Sequence, residues 1–147
     1  MRNELNRVVM RFPSKSINEG LARSGAAAFA SQLDPTLDEL GDIRTAVSEA
    51  VTNAIVHGYK DEIGEVIMTM KLFEGDEIEI VISDKGCGIP DVGQARQPLY
   101  TTDTAGERSG MGFTVMESFT DALKVTSKVG QGTTVTMWKK LSERGRI

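Results

Sequence analysis

The spacing of the apolar residues changes once near the middle of the chain, and that change limits the fold more than any other feature. Leu37, Leu40, Ile43, Val47, Ala50, Val51, Ala54 and Ile55 recur at helical intervals and mark one stripe of a long amphipathic helix. From Val66 the interval drops to two. Val66, Met68, Met70 and Leu72, then Ile78, Ile80 and Ile82 beyond the turn Glu74-Gly75-Asp76, predict an antiparallel hairpin with one face on a core. Residues 5–12, stopped by Pro13, predict an edge strand. Ser16 with Glu19 reads as a capping box opening a helix that runs to about Leu33. Thr36 with Glu39 reads as a second box, opening the long helix that Gly58 closes. A short helix over residues 111–119 and a hairpin of residues 123–129 and 133–140 follow. Helices and strands come in runs without regular β-α alternation. The expected fold is therefore α+β, a single-domain two-layer sandwich over residues 1–147 with helices on one face of a mixed sheet.

At 147 residues the chain has one domain's length and buries a core without staples. No apolar run approaches the ~20 residues that span a bilayer, and Met1-Arg2-Asn3-Glu4 lacks the apolar core of a signal peptide. A cytoplasmic protein without membrane contact is expected. A net charge of −4 argues against direct nucleic-acid binding. The single cysteine, Cys87, admits no internal disulfide and reads as a small filler between two glycines. The single histidine, His57, leaves no imidazole cluster for zinc, so any metal is expected to be a hard ion on oxygen ligands and phosphate.

Three stretches carry candidate chemistry. Glu49, Asn53 and His57 are four apart on the long helix, which puts the Glu49 carboxylate and the Asn53 carboxamide about 6 Å apart along the axis. Such a pair can share a phosphate-bound metal ion and an acceptor hydroxyl; equally, it is the polar face of an amphipathic helix. Asp84-x-Gly86-x-Gly88 leaves a core strand, where a carboxylate can accept a ligand amine, or simply cap a tight turn. Gly110-Met111-Gly112 precedes a helix and suits phosphate, with Arg108 and Ser109 beside it. Residues 93–110 show neither period, which predicts a long loop of the kind that closes over a ligand.

Taken together, Glu49-x-x-x-Asn53 with His57-Gly58, Asp84-x-Gly86-x-Gly88, and Gly110-Met111-Gly112 with Gly132-Thr133-Thr134 resemble the N, G1 and G2 boxes of the GHKL ATPase superfamily. That superfamily includes DNA gyrase B, histidine kinases and MutL. Within it the chain is similar to the bacterial anti-sigma serine kinases, most of all to sporulation members, through the strings 48–55, 96–102 and 107–113. The resemblance implies the Bergerat fold, ATP or ADP and Mg²⁺ as cofactors, and a protein-serine kinase. It implies Glu49 as general base, Arg108 on the γ-phosphate, and Asn53 on Mg²⁺. Asp84 would read the adenine amine with Thr133 beside it, and Gly86, Gly88, Ser109, Gly110 and Gly112 would shape the pocket. The implied partners are a sigma F-like RNA polymerase sigma factor, an anti-anti-sigma factor phosphorylated on serine, and a second copy of the chain. Glu19 and Arg23 would lie on the partner-binding surface. The alternatives are a general-stress anti-sigma kinase and a sequestering module without kinase activity.

Overall fold

The structure, a computed structural model, describes residues 3–97 and 112–142. In chain order the elements are β1 (Glu4–Pro13), α1 (Asn18–Ala30) with a 3-10 turn at Ser31–Leu33, and α2 (Leu37–Asn53) with a π-helical turn at Ala54–Gly58. The hairpin β2 (Glu65–Phe73) and β3 (Glu77–Asp84) follows, then α3 (Val92–Ala95), α4 (Gly112–Ser118), β4 (Ala122–Lys128) and β5 (Gly132–Lys140).

Among the described residues the strands form one sheet in the order β1-β2-β3-β5-β4, and every neighbouring pair is antiparallel. The mixed sheet expected from the sequence is not formed. Two helices between β1 and β2 return the chain to the end where β1 finished, so β2 runs back along it. β4 has the direction of β3, but β5 inserts between the two and no parallel pair forms among the described residues.

The register puts the apolar half of each strand on the helix side. Met68, Ile82 and Val135 share one row, and Met70, Ile80 and Met137 the next. These are buried against Ile43, Ala46, Val47, Ala50 and Val51 of α2. Ala22, Ala26 and Ala30 of α1 are fully buried, small enough for the two helices to lie close. Each buried Ile or Met stabilises by about 1.5–3 kcal/mol. Exposed ion pairs such as Arg11 with Glu65 contribute about 0–1 kcal/mol. Helix-on-sheet burial therefore decides the fold.

Local expectations fared unevenly. Thr36 and Glu39 form both bonds of the capping box, 3.0 and 2.8 Å. Ser16 and Glu19 do not: α1 is entered at Ile17 without a side-chain cap. There the backbone N–H groups of Asn18 and Glu19 bond to the carbonyls of Lys15 and Ser16, while Glu19 pairs with Arg23 at 3.2 Å. Leu37, placed in the buried stripe by its spacing, is 86% exposed because it occupies the first turn, next to the cap. The loop expected from residue 93 begins inside a helical turn, α3, capped by Asp91 through Gln94 N–H at 3.0 Å.

Candidate functional site

β3 alternates inward and outward residues to its end, and the last inward position is Asp84, not another isoleucine. Its carboxylate is buried, in a row with Val66 and Thr133. Burial pushes its pKa up from the usual carboxylate value; backbone N–H groups of Gly86, at 2.9 Å, and Thr133 oppose that shift. The Gly86 bond is that of an Asx turn, so the capping role and a ligand-reading role coexist in one side chain.

The end of α2 covers this carboxylate. Its last turn is widened by a bond from Tyr59 N–H to the Ala54 carbonyl at 3.2 Å, the i to i+5 pattern of a π turn. Gly58 is thereby laid on Asp84, where a Cβ would stand 2.9 Å from the carboxylate carbon. Gly86 is pressed so closely on the Gly58 backbone that a Cβ would stand 2.0 Å from its carbonyl oxygen. Cys87 N–H donates to that same carbonyl at 2.9 Å, and the Cys87 thiol to the His57 carbonyl at 3.1 Å. On the other side Gly88 meets the Lys128 carbonyl, and Gly130 N–H donates to the Cys87 carbonyl at 2.8 Å. The loop after Asp84 is thus fixed between the helix end and the β4–β5 turn.

One helical turn earlier, Glu49 and Asn53 are half-buried on α2. Gly112, the first residue of α4, lies against both: a Cβ there would stand 3.6 Å from Glu49 Oε2 and 3.7 Å from Asn53 Oδ1. Among the described residues no group of three or more His, Cys, Asp or Glu side chains could hold a metal ion. A hard cation at Asn53 would complete its coordination with phosphate oxygens and water, which fits Mg²⁺ beside a triphosphate.

The fold therefore brings Asp84, Gly86, Gly88 and Thr133 together near the Gly58 end of α2, and Glu49, Asn53 and Gly112 together one turn before it. Arg108, Ser109 and Gly110 lie outside the described residues. Glu19 and Arg23 sit on α1, paired with each other. Two residues of the site escaped the sequence reading. Tyr59, buried, donates its hydroxyl to the Glu65 carbonyl at 2.8 Å and accepts Lys85 N–H at 2.7 Å. Ser127 accepts Ile89 N–H at 2.7 Å. A polar residue at an inward position of β4, after Leu123 and Val125, was the available signal for the second.

A sheet covered by two long helices, with a buried carboxylate and close-packed glycines at one helix end, is the layout of an ATPase of the histidine kinase type. Residues 12–139 match the family described as histidine kinase-like ATPase domain, and nucleotide binding follows from that class. The chain is 51% identical over 143 residues to the anti-sigma F factor of Anoxybacillus flavithermus, covering 97% of this chain and 96% of the relative. It is 54% identical over 138 residues to the anti-sigma F factor of Clostridium perfringens, covering 93% of this chain and 98% of the relative. The chain belongs to the anti-sigma F factor family. Among solved structures, the RsbU and RsbW domains of Rv1364c from Mycobacterium tuberculosis share the fold, with a TM-score of 0.69 at 17% identity over 96% of this chain and 33% of that one. No described helix is long and apolar enough to cross a membrane.

Proposed function

We propose that this anti-sigma factor is a protein-serine kinase: with ATP bound it holds a sigma F-like RNA polymerase sigma factor inactive, and it phosphorylates an anti-anti-sigma factor on serine. The observation that carries the kinase reading is the convergence of Glu49 and Asn53 on Gly112. It sets a carboxylate and a carboxamide against the glycine that begins α4, on the helix whose end at Gly58 lies on Asp84. The relatives' name supplies the sigma factor.

In this reading Asp84 accepts the adenine amine, Thr133 sits at the same base edge, and Gly86 and Gly88 form the wall that the base approaches. Asn53 would hold Mg²⁺, which would supply positive charge against that of the phosphates. Ser109, Gly110 and Gly112 would serve the phosphate side, and Arg108 would meet the γ-phosphate. Glu49 orients the acceptor serine and takes its proton as the hydroxyl attacks the γ-phosphorus, whose bond to the bridging oxygen breaks so that ADP leaves. Phosphoryl transfer needs a positioned hydroxyl and charge neutralisation more than covalent help, and these residues supply both.

The partner surface is assigned to α1, with Arg23 held by Glu19 at 3.2 Å. Leu5 and Val9 of β1 and Ile17 and Leu21 at α1 are exposed, and we assign them to a homodimer contact. Asn53→Ala is expected to weaken Mg-ATP binding measured by calorimetry while leaving the thermal transition within a few degrees. Unchanged affinity would remove Asn53 from the metal role.

A further inference from the structure

β4 turns Leu123, Val125 and Ser127 toward the helix side, and the Ser127 hydroxyl lies between the loop after Asp84 and Thr133. Its oxygen accepts Ile89 N–H at 2.7 Å, which ties the loop after Asp84 to β4. It is also 3.0 Å from the Gly132 carbonyl and 2.8 Å from Thr133 Oγ1.

Counting protons resolves this cluster. A carbonyl only accepts, so the Gly132 contact uses the one proton that Ser127 has. The Ser127–Thr133 contact then uses the Thr133 proton, and the two lone pairs of Ser127 receive Ile89 N–H and Thr133 O–H. All three bonds are made together in this arrangement. Thr133 is left with lone pairs for a ligand, and Asp84 is its partner in the β3–β5 register, with the Thr133 backbone N–H bonded to the Asp84 carboxylate. Two acceptors side by side match an exocyclic amine with its two protons and repel a ring carbonyl at the same position.

We infer that Ser127 is a positioning residue of the proposed base site, which makes that site select 6-amino over 6-oxo purine nucleotides by fixing Thr133 as an acceptor. The inference rests on the reading of Asp84 and Thr133 as the groups that face the base. The test is calorimetric titration of the full-length chain with Mg-ATP and with Mg-ITP, which carries a carbonyl in place of the amine. Wild type is expected to prefer ATP. Ser127→Ala should lower the ATP-to-ITP affinity ratio roughly 3- to 10-fold, the worth of one hydrogen bond. Ser127→Thr, which keeps the hydroxyl, should restore the ratio. In a Thr133→Ala background Ser127→Ala should leave the ratio unchanged, because the effect runs through Thr133. If wild type discriminates and Ser127→Ala weakens both nucleotides equally, Ser127 is only a structural tie and the inference is overturned. If wild type binds ATP and ITP alike, the reading of Asp84 and Thr133 is overturned and this inference goes with it.

Discussion

Asp84 faces inward at the end of β3, and burial raises its pKa against the pull of two backbone N–H groups. A raised folded pKa means that the associated stability is present below the unfolded value, near pH 4, and is lost as pH rises through the folded value. Asp84→Asn has no such loss. Urea unfolding at a series of pH values should therefore show the stability difference moving in favour of Asp84→Asn as pH increases from about 4; a pH-independent gap would contradict the burial account. The same variant should lose roughly 10- to 100-fold in ATP affinity, as a hydrogen bond to a charged acceptor is replaced by one to a neutral amide. Sequence spacing was enough to mark Asp84, Glu49 and Asn53 as candidates, because each interrupts or flanks an apolar period at a defined interval, while their roles came from the family resemblance. It was not enough for Tyr59 or Ser127. Their roles lie in single hydrogen bonds to the backbone of Lys85 and Ile89, which are 26 and 38 residues away, and no local pattern encodes such partners.

Among the elements, α2 carries Glu49, Asn53 and, at its π turn, Gly58 of the candidate site, and its two ends behave differently. At the start, Thr36 caps Glu39 N–H, and Glu39 in turn accepts Thr36 N–H and Ser142 N–H. Thr36→Ala should reduce stability by about 1 kcal/mol in urea unfolding. Ser16→Ala should change it little, since no side chain caps α1; a cost equal to that of Thr36→Ala would contradict this entry geometry. At the far end of α2 the π turn lays Gly58 on Asp84. Across the sheet, Gly132 has φ +111, and a Cβ there would stand 2.1 Å from the Asp84 carbonyl oxygen. Gly132→Ala should therefore destabilise by several kcal/mol and abolish nucleotide binding with it. The hairpins β2–β3 and β4–β5 were legible in the sequence because alternation and turn residues are local. The insertion of β5 between β3 and β4 was not, since strand order depends on which apolar faces meet after collapse. That is why a mixed sheet was expected and an antiparallel one is found.

At the level of the whole molecule, the proposed nucleotide site lies at the end of the helix that also forms the core, so changes at the phosphates would be felt by a rigid element. A switch of partner with the presence of the γ-phosphate suits this arrangement. The exposed apolar residues of β1 and α1 should hold two copies together: sedimentation at micromolar concentration is expected to show a dimer, and Val9→Lys with Leu21→Lys a monomer. A wild-type monomer would remove this assignment. The central claim concerns what is done with ATP, and it is met most directly by incubating the protein with Mg²⁺, γ-labelled ATP and an anti-anti-sigma protein. Label is expected on a serine of the added protein. In Glu49→Gln the rate should fall by roughly 10²–10⁴, the usual worth of a general base, while ATP binding is kept. ATP binding without transfer in the wild type, or transfer undiminished in Glu49→Gln, would contradict the account.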